Sequence, residues 1–184
     1  MTQVINEIMN IRLASSKDRA GIQRVYQSAF SEDEAIIVSE LAVELIDENA
    51  TPPIFSFVAE AAGEIIGHVA FSPVKSDDAE NFLGYILAPL AVHPDYQKRE
   101  VGSQLIAQGM QQISSMEVHV VFVYGDPGYY SRFGFSAEPA CQYAPGYPLE
   151  YPFGWQAKVL SKYETDKSPL AITCVAPLCD PDLW

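Results

Sequence analysis

The chain has 184 residues, with 11 Lys and Arg against 24 Asp and Glu, a formal net charge of −13, and 48% of its residues are apolar or aromatic. A chain of this size buries roughly 70% of the surface its unfolded form exposes, which excludes disorder and low complexity and points to one globular domain over residues 1–184. The acidic balance excludes a nucleic-acid binder, which needs a basic stripe to displace phosphate counterions, and it disfavours anionic membrane surfaces.

No apolar stretch approaches the length of about 20 residues that spans a bilayer; the longest, Tyr85 to Val92, is interrupted by Pro89. The N-terminus lacks a basic region followed by an apolar core and a small-residue cleavage site, so a cytoplasmic protein is expected. Cys141, Cys174 and Cys179 are an odd number without C-x-x-C spacing, which suggests neither a disulfide framework nor a zinc site, and no metal is expected.

Met9 to Ala14 reads as a short strand. Ser15, with Asp18 three residues on, forms a capping-box pattern that opens a helix with Ile22, Val25, Tyr26, Ala29 and Phe30 on its apolar side. Ser31 and Glu34 repeat the signal for a second helix, with Ile37, Val38, Leu41, Leu45 and Ile46 on one face, ended by Asn49 to Pro53. Ile54 to Ala59 and Ile65 to Phe71, joined by a turn around Ala62, Gly63 and Glu64, predict an antiparallel hairpin.

Leu83 to Val92 predicts a third β-run, in which Pro89 cannot donate to a ladder and marks a bulge or an end of pairing. A helix over Glu100 to Met116, striped by Val101, Leu105, Ile106, Gly109 and Ile113, then leads to a buried strand at Val118 to Tyr124. Strand, crossover helix and strand predict a parallel, right-handed unit. Asp126 and Pro127 suit the cap and first position of a short helix ending near Phe133 and Gly134. The Pro- and aromatic-rich stretch 139–155 predicts an ordered loop packed on the domain, followed by strands at Ala157 to Lys162 and Leu170 to Val175.

Charge is uneven along the chain. Val25 to Val74 carries nine acidic residues and no Lys or Arg, and the only basic residues from Ser76 to Ser131 are Lys98 and Arg99. That pair lies just before Gly102 at the predicted start of a helix, where unpaired N–H groups and the positive end of the helix dipole make a phosphate cradle.

The stretch Pro89-Leu90-Ala91-Val92-His93-Pro94-Asp95-Tyr96-Gln97, followed by Val101-Gly102-Ser103 at a helix start, resembles motif A of the GNAT superfamily of N-acetyltransferases. Gly125 to Phe135, with Tyr130 four residues before Gly134-Phe135, resembles that family's next motif. The resemblance implies a mixed α/β (α+β), centrally splayed sheet of about six to seven strands flanked by about four helices. It also implies an acetyl-coenzyme A site where the strand 83–92 parts from the strand 118–124. Leu90, Ala91 and Val92 would pair with the pantetheine arm, and Gln97, Lys98, Arg99, Glu100, Val101, Gly102 and Ser103 would hold the phosphates. Glu100 departs from the pattern, standing where the family usually has a glycine. Its side chain is expected to point to solvent at the first helical turn.

By the same resemblance, Tyr130 is the general acid to the coenzyme A thiolate, with Tyr129 as the alternate; on a helix the two point about 100° apart, so only one is expected to face the cofactor. The acceptor is expected to be an amine of a small molecule or peptide, and the acidic residues of the first two helices suit a cationic one. For the general base, Glu32, Asp33, Glu34, Tyr85, His93 and Asp126 are candidates, none singled out. Two rival readings are a catalytically silent acyl-coenzyme A-binding module and an interaction protein that uses the aromatic segment as a docking surface or homodimer contact.

Overall fold

The computed structural model of the chain describes residues 9–77, 81–166 and 168–184. Strand β1 (Asn10–Leu13) pairs antiparallel with β2 (Phe55–Ala61), which turns through Ala62 and Gly63 into β3 (Glu64–Ser76). Both turn residues have positive φ, 51° and 80°, as the tight hairpin turns matching strand twist require. Strand β4 (Phe82–Val92) is antiparallel to β3, and β5 (Val120–Tyr124) is parallel to β4. The parallel step is crossed by helix α3 (Val101–Ser114), as the element pattern predicts.

Two single turns, α4 (Pro127–Tyr130) and α5 (Ala137–Ala140), lead to the two-residue β6 (Tyr143–Ala144) and to β7 (Trp155–Val159), which is antiparallel to β5. Strand β8 (Leu170–Thr173) pairs with Lys75 and Ser76 of β3, beyond the reach of β2, and with β6 in parallel. The result is a mixed sheet of eight strands whose main path is β1-β2-β3-β4-β5-β7. The strand beyond the expected six or seven is β6, inside the stretch read as loop. Strand β3 runs past its expected end at Phe71 because β4 and β8 both supply partners there.

Helix α3 covers one face, where Val101, Leu105, Ile106 and Ile113 meet Val69, Phe71, Leu87, Val121 and Val123. Helices α1 (Arg19–Ala29) and α2 (Glu32–Asp47) cover the other face. The Ser15 signal acts as predicted: its backbone N–H donates to the Asp18 carboxylate at 2.8 Å. Arg12 from β1 grips that carboxylate with two N–H groups at 2.9 and 2.8 Å, and also reaches Glu60 of β2. This guanidinium holds the Asp18 carboxyl well below the usual carboxylate range. Helix α2 departs from expectation at Ile37, which is 37% exposed rather than packed.

Two buried contacts carry much of the packing. The ring of Phe71 fills the space a Cβ at Gly109 would take, so β3 and α3 approach closely only because position 109 is glycine. Gly109→Ala is therefore expected to lower stability by about 1 to 2 kcal/mol, because overpacking outweighs the gain in helix propensity; urea unfolding measures it. On the opposite face His68 is fully buried, with Nδ1 2.8 Å from the Tyr26 hydroxyl and Nε2 2.7 Å from Ser56 Oγ. Burial pushes its pKa down to about 3, so the ring is neutral in the native state.

No helix among the described residues is long and apolar enough to cross a membrane. No cluster of three or more His, Cys, Asp or Glu residues suited to a metal occurs among them.

Candidate active site

The site arises where β4 and β5 part. Their parallel pairing runs from Gly84–Val120 to Leu87–Val123 and stops, while β4 continues to Val92 against β3 alone. At the parting point the β3–β4 register shifts between Val69–Leu90 and Phe71–Leu87, so Ala88 and Pro89 form a bulge. Proline at that position removes no ladder donor, which is why it is tolerated there. Beyond Leu87 the edge of β4 that faces β5 has no strand partner among the described residues.

A groove of about 450 Å³ lies along this edge. Nine of the ten residues expected to hold a cofactor line it: Leu90, Ala91, Val92, Gln97, Lys98, Glu100, Val101, Gly102 and Ser103. Arg99 does not; its guanidinium lies 5.4 Å from the centre of the Tyr96 ring. Gln97 donates from Nε2 to the Val92 carbonyl at 3.1 Å. The first residue to bond back within α3 is Gln104, to the Glu100 carbonyl at 2.9 Å, which leaves the N–H groups of Val101, Gly102 and Ser103 at the helix mouth without intrahelical acceptors.

Glu100 is exposed, as expected, but it is the N-cap rather than part of the first turn, and its φ is 63°. Lys98 also has positive φ, 61°. The left-handed conformation costs a side-chain-bearing residue about 1 to 2 kcal/mol, which explains why glycine suits position 100. Glu100→Gly relieves that cost but enlarges the unfolded ensemble by about 0.4 to 1 kcal/mol. The expected net is a small gain in thermal stability, with tighter binding of polyanions once the carboxylate is gone, measured by thermal shift and titration calorimetry.

The far wall of the groove is α4 and the turn after it. Asp126 caps α4 by accepting from the Gly128 N–H at 2.9 Å. Tyr129 and Tyr130 both line the groove, contrary to the expectation that only one would, and their rings meet edge-on with centroids 5.0 Å apart. The Tyr129 hydroxyl sits over Gly102, in the space a Cβ there would fill. Arg132, which sequence reasoning did not single out, stacks 4.4 Å over the Tyr129 ring and donates to Ser103 Oγ at 3.2 Å. It adds a second cation to the groove beside Lys98.

Tyr130 also lines a second cleft, of about 670 Å³, between α2 and the C-terminal segment. Leu90, Asp126 and Tyr130 line both spaces, so groove and cleft adjoin at these residues. The Tyr130 hydroxyl has no hydrogen-bond partner among the described residues. Burial above all, then the neighbouring Tyr129 and Asp126, raises its pKa above that of an ordinary phenol, so it is protonated at neutral pH.

The candidate bases separate. Asp33, Glu34 and Asp126 line the second cleft, whereas Glu32 lines neither space. Tyr85 is fully buried on the α3 side, where its hydroxyl donates to the Pro53 carbonyl at 3.0 Å, which removes it as a base. His93 lies in the turn after β4, outside both spaces, with Nδ1 accepting from the Asp95 N–H at 3.3 Å.

Residues 52–137 match the family model described as an acetyltransferase (GNAT) domain. The chain is 31% identical over 172 residues, 92% of each chain, to a protein named as an uncharacterized N-acetyltransferase, YjhQ, of Escherichia coli. A GNAT family acetyltransferase from Brucella melitensis, solved with acetyl-coenzyme A, superposes with a TM-score of 0.70 at 28% identity, covering 94% of this chain and 99% of that one. The fold is also that of the Escherichia coli GNAT protein YhbS in complex with coenzyme A, with a TM-score of 0.78, 24% identity and coverage of 97% and 96%. A parted β4 and β5, a groove at a helix mouth and full-length similarity to YjhQ converge: this chain belongs to the GNAT family of N-acetyltransferases.

Proposed function

We propose that the protein transfers acetyl from acetyl-coenzyme A to an amine, with Tyr130 as the general acid. The observation that carries this reading is that a groove holding Lys98 and Arg132 and a cleft lined by carboxylates adjoin at one protonated, unpartnered phenol.

The residues fit the donor. The open edge of β4 at Leu90 to Val92 offers backbone groups to the amides of a pantetheine arm, in the manner of an added strand. Gly102 keeps the helix mouth free of a Cβ, and Lys98 and Arg132 supply charge for phosphates. Acetyl-coenzyme A supplies an activated thioester carbonyl. The acceptor gives up its ammonium proton to water in the open cleft, the neutral nitrogen forms the new C–N bond as the C–S bond breaks, and its second proton follows to water. Tyr130 gives its phenolic proton to the departing sulfur and recovers one from solvent. A backbone N–H of the open β4 edge is the donor to the carbonyl oxygen.

The reading is tested by following thiol release from acetyl-coenzyme A against a panel of primary amines, with coenzyme A binding measured in parallel. Amine-dependent thiol release is the expected result. Binding without release on any amine would support a silent binding module, and no binding at all would remove the reading altogether.

A further inference from the structure

The second cleft has a chemical character of its own. Every charged side chain lining it is a carboxylate: Asp33 and Glu34 from the start of α2, Asp126 from α4, and Glu150 and Asp182 from the C-terminal part of the chain. No Lys or Arg lines it, and none of these five carboxylates is in an ion pair among the described residues. The cations of the site, Lys98 and Arg132, lie on the groove side of Tyr130.

The walls between the carboxylates are apolar. The exposed Ile37, together with Val38 and Leu41, forms one wall, and Tyr124, Leu183 and Trp184 form the other. An exposed isoleucine at a helix start has no packing role of its own, but across a cleft from two aromatic rings it completes an apolar slot. The volume falls within the range of about 300 to 1,000 Å³ typical of small-molecule sites.

We infer that the acceptor is a small primary monoamine with an apolar body and no carboxylate, an arylalkyl- or alkylamine rather than an α-amino acid, a polyamine with further charges along its body, or a polyhydroxylated aminosugar. The inference rests on the acetyl-transfer reading above and adds the substrate class. The ammonium is drawn into a negative field that no fixed cation offsets, and the same field opposes a carboxylate on the acceptor. The apolar walls gain from burying hydrocarbon and gain nothing from a hydroxylated ring. Tyr130, which lines both cleft and donor groove, marks the end at which the amine must arrive.

The test pairs each amine with its carboxylated counterpart: phenethylamine with phenylalanine and tryptamine with tryptophan, beside spermidine and kanamycin, all read as kcat/KM for thiol release. The two arylalkylamines are expected to exceed their amino acids by about tenfold or more, and the ratio should shrink as added salt screens the field. Asp33→Asn and Glu150→Gln, both changes at exposed positions, should raise KM for the amines more than they lower kcat, and narrow the ratio. Equal or better turnover of the amino acids, preference for spermidine or kanamycin, or variants that leave the ratio untouched would each overturn the assignment. Coenzyme A binding with no turnover of either arylalkylamine would overturn it while leaving the donor groove intact. Failure to bind coenzyme A would remove both readings.

Discussion

Tyr130→Phe is expected to lower kcat by about a hundredfold to ten-thousandfold, the usual contribution of a positioned general acid. Coenzyme A affinity should change little, because the ring, which packs against Tyr129 at 5.0 Å and Phe135 at 6.1 Å, is retained. Only the hydroxyl is lost, and it makes no hydrogen bond among the described residues, so folding is not at issue. The pH profile separates this role from a structural one. With a pKa raised above the ordinary phenol value near 10, Tyr130 contributes no alkaline fall below about pH 10. A variant with wild-type kcat would remove Tyr130 from the chemistry.

The second large effect is on stability in acid. His68 has a pKa of about 3 in the native state against 6.5 for the free side chain. Between those values the unfolded chain binds a proton that the native chain does not, so stability rises with pH and is lost as pH falls below 6.5, at about 1.4 kcal/mol per unit. From pH 6.5 to 4.5, before most carboxylates titrate, the expected loss is about 2.5 kcal/mol, a large share of a typical domain's stability. His68→Gln cannot ionise and keeps polar atoms facing Tyr26 and Ser56. Its urea midpoint should be lower at pH 8 but much flatter between pH 6.5 and 4.5. Parallel wild-type and variant curves would show that His68 is not the group responsible.

The fold was largely legible because its signals are local. The capping pattern at Ser15, the turn at Ala62 and Gly63, and the stripe through Leu105 and Gly109 depend on neighbours a few residues away. The candidate groove was legible only where local stretches line it, from Leu90 to Ser103 and around Tyr130. Arg132 carries no local signal, because its partner Ser103 is distant in sequence and only the fold brings them together. The contribution of Glu150, Asp182 and Trp184 to the cleft comes entirely from tertiary packing. Ile37 fits an apolar helical stripe equally well whether that stripe meets a core or an open slot. Tyr85 is a base candidate by residue type alone; by alternation it shares a face with Leu87, and that face is buried under α3.

The bulge at Ala88 and Pro89 also acts as a phase shift in the pleat. Side chains alternate across a strand, so after Leu87, which faces α3, an unbroken β4 would turn Pro89 and Ala91 to that face. With the bulge, Leu90 and Val92 pack on the α3 side and Ala91 on the α1 side. The same half-period shift resets which N–H and C=O groups face the open edge. A one-residue deletion here would preserve the composition of the motif, yet present the groove with the opposite set of side chains and amides. In this part of the chain the spacing of residues matters as much as their identity.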